Sequence, residues 1–262
     1  MKTTKPELAL IKIGGNIIDD PIALRQALTV FSQLKGTKIL VHGGGKEASK
    51  IAEALNLETQ MVDGRRITDQ PMLDVVVMTY AGLINKRIVA QLNALDCPTF
   101  GFSGADGNLI QSEKRTVQDI DFGYVGDIRH INTPQLLSLL RTKAVPVFCA
   151  ITHDGKGQLL NTNADTIAAE LGIALSDAYS VKIIYCFEKQ GVLINTNDES
   201  SLIPVLTTSK YHDLLAIGAI YSGMIPKLDN CFRALTKGVD RVIIGNLSAL
   251  ENQNAICTII QL

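Results

Sequence analysis

The feature that most constrains this chain is a pair of apolar runs, each closed by glycines: "LALIKIGG" (8–15) and "ILVHGGGK" (39–46). A helical pattern follows each run, Leu24 to Leu34 after the first and Glu47 to Leu57 after the second. The strands expected at Leu8 to Ile13 and Lys38 to Val41 are apolar at nearly every position, as strands buried on both faces are. Strand, glycine turn and helix in succession predict βαβ units. The fold class is therefore α/β, a three-layer αβα sandwich with a largely parallel central sheet. Ligands of such sheets gather at the carboxyl ends of the strands, where both glycine clusters stand. Glycines there let backbone N–H groups and a helix N-terminus face an anion.

The rhythm continues with one interruption. "TQMVDGRRIT" (59–68) predicts a hairpin that turns at Asp63-Gly64. Thr68 or Asp69 is placed to cap a long helix, "DQPMLDVVVMTYAGLINKRIVAQLNAL" (69–95), with Pro71 in its first turn. Val75, Val76, Val77 and Met78 are consecutive, so this helix is expected to bury one face on its own sheet and another against a second subunit. "PTFGFSG" reads as a strand and "ADGNLIQSEKRTVQDIDFGYVGDI" (105–128) as an excursion of short hairpins. The βα pattern resumes through "AVPVFCAI", the loop "THDGKGQLLNTNAD", the helix "ADTIAAELGIAL" and the strands "VKIIYCF", "RVIIG" and "CTIIQL". No repeat or low-complexity linker divides the chain, so one continuous sheet carrying two lobes is expected.

A net charge of -1 supplies no basic field for nucleic acid, and no apolar run has the length of a membrane span. The N-terminal "MKTTKPELAL" has no hydrophobic signal core. Five cysteines are scattered without a CxxC pair, and four histidines show no metal-ligand spacing, so no metal site is read. Four of those cysteines lie in or beside apolar runs, which predicts reduced, buried thiols and a cytoplasmic location. A small-molecule partner fits this composition.

Within "HGGGKEA", Gly43, Gly45 and Ala48 match the G-x-G-x-x-A dinucleotide fingerprint, and this keeps a nicotinamide-dependent dehydrogenase as an alternative. A P-loop is excluded, because Glu47 stands where the Ser or Thr after its lysine belongs. Lys12 lies inside an apolar strand, where its ammonium requires a carboxylate or, beside Gly14 and Gly15, a bound anion. Asn161, Asn163 and Asp165 cluster at a loop-to-helix boundary; Asn163 or Asp165 suits an N-cap, and capping leaves Asn161 unexplained. Lys227 follows Pro226 at a helix start, a cation set against the helix dipole unless an anion lies near. Arg66 suits a bidentate contact with carboxylate or phosphate, while its neighbour Arg65 is read as a solvated charge.

In this order, "IKIGGN", "VHGGGKE", "DGRRIT", "YAGLINK", "GFSGADG", "LLNTNAD" and "GMIPKL" resemble the amino acid kinase family, from Leu8 nearly to Leu262. The set is most similar to the branch acting on N-acylated glutamate, as against aspartate, carbamate or uridine monophosphate. The resemblance implies the amino acid kinase fold as a single domain over 1–262. Its N-terminal lobe (1–175) would hold the amino acid and the dimer contact, and its C-terminal lobe (176–262) ATP. The activity implied is ATP-dependent phosphorylation of the γ-carboxylate of N-acetylglutamate in arginine biosynthesis, with Mg²⁺ carried by the nucleotide. N-succinylglutamate as substrate, and a non-catalytic nucleotide or amino-acid sensor, stand as alternatives.

Carried over by position, Lys12 and Lys227 would bind the transferring phosphate, Gly15 and Gly44 would supply N–H donors, and Asp165 would orient the lysines. Arg66 and Asn161 would grip the α-carboxylate, with Gly44, Gly45 and Asn163 on the same side. Lys12, Gly14, Gly15, Glu188 and Lys227 would face the nucleotide. Phe187 and Glu188 depart from the family's Ser/Thr-Asp pair at that place. A carboxylate nucleophile of pKa about 4.3 is already ionised at neutral pH, so no catalytic histidine is expected. A first strand at Leu8 leaves no room for the extra N-terminal helix of hexameric, arginine-sensitive members. A homodimer joined through the 69–95 helix and insensitive to arginine is therefore expected.

Overall fold

A computed structural model describes residues 5–62, 65–117, 119–220, 223–252 and 255–262. The first apolar run forms β1 (Glu7–Ile13), and its glycines open a short α1 (Gly15–Asp19). Asp20 caps α2 (Pro21–Gln33), its carboxylate accepting from the N–H groups of Ile22 and Ala23, with proline in the first turn. The second run forms β2 (Thr37–His42) and leads through glycines into α3 (Gly45–Ala54). Lys38, buried in β2, donates to the carbonyls of Phe31, Ser32 and Leu34 at 2.7–2.9 Å and so closes the C-terminus of α2.

The expected hairpin is β3 (Met61–Val62) paired antiparallel with β4 (Arg65–Arg66); its turn, Asp63-Gly64, lies outside the described residues. The long helix consists of α4 (Gln70–Val77), a π-helical segment (Met78–Ile84) and α5 (Asn85–Asn93). Asp69, not Thr68, is its cap, accepting from Met72 N–H at 2.9 Å. From the π segment, Tyr80 and Ile84 pack against Gly44.

The remaining strands are β5 (Thr99–Phe102), β6 (Ile110–Lys114), β7 (Gly126–Ile131), β8 (Val145–Cys149), β9 (Ile151–His153), β10 (Leu159–Asn161), β11 (Ser180–Cys186), β12 (Val205–Thr207), β13 (Arg241–Gly245) and β14 (Thr258–Gln261). The remaining helices that matter below are α6 (Thr133–Arg141), α7 (Ala164–Leu175), α8 (Thr208–Ala216) and α9 (Ile225–Thr236).

Among the described residues eight strands form the central sheet, in the order β12-β14-β13-β11-β1-β2-β8-β5. Its pairings are parallel except that of β13 with β14. Leu10, Ile11, Ile39, Leu40, Val41, Val181 and Ile183 are completely buried in its middle strands. Each such side chain contributes about 1.5–3 kcal/mol relative to exposure. Because β1 lies between β2 and β11, the chain winds outward on both sides of it, and the crevice at the carboxyl ends of these strands is the switch point.

The sheet is not the single one expected. A second sheet, β10-β9-β6-β7, stands apart from it, and "AVPVFCAI" divides at Ala150, with β8 in the first sheet and β9 in the second. Four cysteines are buried, Cys257 is half-buried, and all are free thiols. Among the described residues no helix is long and apolar enough to cross a membrane.

Candidate active site

Three helices begin at the switch point without a side-chain cap among the described residues. Gly14 precedes α1, Gly44 precedes α3 and Met224 precedes α9. By contrast Asp20, Asp69, Asn132, Asn163 and Thr207 cap α2, α4, α6, α7 and α8. The first N–H groups of a helix have no intrahelical acceptor, so uncapped starts present donors and a partial positive charge.

Gly44 requires glycine for two reasons. Its φ is +156°, and a Cβ there would come within 2.3 Å of Ile84 Cδ1 and 3.0 Å of Tyr80 Cδ1. Gly14 lies where β1 meets β11: its N–H donates to the Cys186 carbonyl at 2.9 Å, and a Cβ would lie 3.3 Å from Phe187 Cβ.

Lys12 leaves β1 at this point and finds its partner. Its Nζ is 2.8 Å from Asp165 Oδ1, and Lys227 Nζ is 2.8 Å from Asp165 Oδ2, so one carboxylate joins an ammonium from the central strand β1 to one from the first turn of α9. All three side chains are 11–15% exposed. Burial lowers the Lys12 pKa and outweighs the opposing pull of Asp165. Burial alone would raise the Asp165 pKa, but the two ammonium groups overturn that and hold the carboxyl well below the usual range. The cluster carries net charge +1 in a desolvated setting, which favours an anion.

Beside it opens a cavity of about 240 Å³ lined by Lys12, Gly15, Gly44, Gly45, Arg66, Asn161, Asn163 and Asp165, among others. Eight of the expected residues therefore share one cavity, and Lys227 joins them through Asp165. Buried Arg66 donates to the Gly45 carbonyl at 2.7 Å, to Ser49 Oγ at 2.8 Å and to Thr59 Oγ1 at 3.2 Å, which fixes its guanidinium in the wall. Asn161 Nδ2 donates to Thr68 Oγ1 at 3.0 Å. Asn163 is the α7 cap, accepting from the N–H groups of Asp165 and Thr166, and so sets the direction in which Asp165 leaves the helix.

Glu188 is placed differently. It is exposed, outside the cavity wall, and accepts from Asn16 Nδ2 at 2.6 Å, while Asn16 Oδ1 accepts from Lys46. Arg65, read as a solvated charge, is exposed and also lines the cavity.

Sequence reasoning passed over Tyr80 and Arg115, which line it too. Tyr80 comes from the π segment, and burial raises its pKa, keeping the hydroxyl neutral. Arg115 comes from the hairpin excursion and pairs with Asp127, yet its Nη1 is buried with no hydrogen-bond partner among the described residues. No histidine is among the described residues of the wall. His42 lies behind it, donating from Nδ1 to the Gly43 carbonyl at 2.8 Å while Asn85 Nδ2 donates to Nε2 at 3.1 Å. Burial lowers its pKa to about 4, so it is neutral at pH 7.

The model of the amino acid kinase family matches residues 7–246. The chain belongs to the amino acid kinase family. Within that family it is 49% identical over 247 residues to an acetylglutamate kinase of Phocaeicola vulgatus, covering 94% of this chain and 96% of the relative. It is 35% identical to an acetylglutamate kinase of Methanopyrus kandleri, over 93% of this chain and 96% of that one. Among solved structures, N-acetylglutamate synthase from Neisseria gonorrhoeae has a TM-score of 0.83 at 22% identity, over 98% of this chain and 59% of that one. At that identity the likeness concerns the amino acid kinase fold alone. Kinases of this family use ATP.

Proposed function

We propose that this amino acid kinase transfers the γ-phosphoryl group of ATP to the γ-carboxylate of N-acetylglutamate, giving N-acetylglutamyl 5-phosphate and ADP. The observation that carries the reading is the buried Lys12–Asp165–Lys227 cluster at the meeting of two glycine turns, in a chain 49% identical to an acetylglutamate kinase. A dehydrogenase would leave both lysines without a task, and a sensor would not need two cations aimed at one point.

The chemistry asks for little covalent help. The attacking carboxylate is ionised at neutral pH and needs no general base. A γ-carboxylate oxygen forms the new bond to phosphorus as the bond from phosphorus to the ADP oxygen breaks. The enzyme must hold these oxygens in line and offset negative charge meeting negative charge. Lys12 and Lys227 do this from two sides, with N–H donors at Gly15 and Gly44. Asp165 keeps the two ammonium groups together when no phosphate is bound. Arg66 and Asn161 hold the α-carboxylate, and Gly45 and Asn163 complete that wall. ATP lies over the ends of β11 and β13 in the C-terminal lobe, with Gly14 at its edge and Glu188 beyond the cavity rim.

Asp165, the carboxylate in the described cavity wall, is engaged by both lysines, so Mg²⁺ is assigned to the ATP phosphates rather than to a cage of side chains. We place the enzyme in the cytoplasm as a homodimer joined along the α4–α5 helix, where Met78 is 55% exposed.

One observation favours a second reading of the acyl group. Arg65 and Arg115 line the cavity besides Arg66, and Arg115 Nη1 is buried without a hydrogen-bond partner among the described residues. A succinyl group would bring a third carboxylate to them. The test is ADP release with MgATP and N-acetylglutamate, N-succinylglutamate, glutamate, aspartate, carbamate or uridine monophosphate. Turnover with an N-acylglutamate supports the proposal and names the acyl group. Silence across the panel with ATP bound refutes it.

A further inference from the structure

The two lysines are held in unlike ways. Lys12 stands on a central strand with its stem fixed by the sheet, while Lys227 stands in the first turn of α9. Two aromatic faces accompany Lys227: its Nζ is 5.6 Å from the ring centroid of Tyr185, on β11, and 5.8 Å from that of Phe187, just beyond the strand. Both distances fall within the range in which a ring face attracts an ammonium.

The rings are themselves anchored. Tyr185 is completely buried and its hydroxyl donates to the Asp165 carbonyl at 3.2 Å. Phe187 N–H donates to the Gly245 carbonyl at 2.9 Å, and the absence of a side chain at Gly14 lets Phe187 Cβ lie close over the first glycine turn.

We propose that Phe187, with Tyr185, is a positioning residue that forms an aromatic rest for the Lys227 ammonium and so holds it at the transfer point. Asp165 sets the distance of the ammonium, and the ring faces limit its sideways movement. The consequence for catalysis rests on the function proposed above; the placement of Lys227 does not.

Two experiments keep these separate. In protein labelled with ¹³Cε-lysine, the Lys227 ε-methylene signal, assigned through Lys227→Arg, is expected to show an upfield ring-current shift that falls by about half in Phe187→Leu, the remainder coming from Tyr185. An unshifted Lys227 signal in the unmodified chain overturns the proposal whatever the substrate is. In turnover assays, Phe187→Leu is expected to lower kcat about tenfold with KM for the N-acylglutamate unchanged within about twofold, and Phe187→Tyr to restore it. Progressive ring fluorination of Phe187, which weakens the face while nearly keeping the volume, should lower kcat stepwise. A raised KM for ATP with kcat intact, or indifference to fluorination, would show that Phe187 packs against the nucleotide or merely fills space, and would overturn the proposal. A shifted Lys227 signal with no N-acylglutamate turnover would refute the proposed function and leave the aromatic rest standing.

Discussion

Asp165→Asn removes the negative charge from between two ammonium groups, each 2.8 Å from one of its oxygens. Breaking a buried ion pair by removing one partner costs about 3–5 kcal/mol, and the 11–15% exposure of these side chains places the loss near the lower end, about 3 kcal/mol. For a chain of this size that corresponds to a fall of about 6–12 °C in Tm. The two cations are no longer held at one point, so kcat should drop by about 10² or more.

The pH dependence has a definite sign. Ion pairing holds the Asp165 pKa below its unfolded value, so its stabilisation is present above about pH 4 and is lost as pH falls through the folded pKa. The variant lacks that loss. Lys12, already lowered by burial, loses the partner that opposed the lowering, so residual kcat in the variant should fall with rising pH earlier than in the unmodified enzyme. Thermal unfolding at pH 7 and a pH series of MgATP-dependent ADP release measure both effects. The double change Lys12→Met with Asp165→Leu should recover part of the stability and none of the activity. An Asp165→Asn enzyme with Tm within about 1 °C and kcat within about twofold of the unmodified enzyme would mean that Asp165 neither stabilises the fold nor holds the two ammonium groups for transfer.

Other parts of the site answer to separate changes. His42 is completely buried with its pKa lowered to about 4 from 6.5, so stability should rise with pH between 4 and 6.5, by up to about 3 kcal/mol, and be flat above; urea unfolding across that range should show this slope reduced in His42→Gln. Arg66→Lys loses the fork that reaches Gly45, Ser49 and Thr59, and should raise KM for the N-acylglutamate about tenfold in steady-state assays while leaving KM for ATP within about twofold. Gly44→Ala places a methyl group 2.3 Å from Ile84 Cδ1, and should cost about 1–3 kcal/mol in urea unfolding with partial recovery in Gly44→Ala, Ile84→Val.

The parts legible in the sequence were those where local chemistry conflicts with its surroundings. A lysine in an apolar strand demanded a counter-charge, and the structure supplies it as Asp165, shared with Lys227, whose own position at a helix start raised the same demand. The glycine turns were legible because few residues tolerate their place beyond a buried strand, and Gly44 bears this out through its contacts with Tyr80 and Ile84. The central sheet followed from continuous apolar runs.

The second sheet did not follow, because β6 and β7, "IQSEK" and "GDIRHI", carry too few apolar residues to show which face is buried. The break at Ala150 hides inside one unbroken apolar run. Tyr80 and Arg115 were invisible for a different reason: each reaches the cavity from an element far away in sequence, and nothing local sets it apart. Asn161 lacked a structural partner in the sequence and has one in the fold, Thr68, across 93 residues.

The most direct test of the central claim follows the phosphorus atom. The protein is incubated with MgATP and N-acetylglutamate labelled with ¹⁸O in the γ-carboxylate, and products are observed by ³¹P NMR before hydrolysis. An acyl phosphate signal carrying the isotope shift of a bridging ¹⁸O is expected, formed together with ADP and absent in Lys12→Ala. ADP and unlabelled inorganic phosphate without an acyl phosphate, or an equal signal from Lys12→Ala, would contradict it.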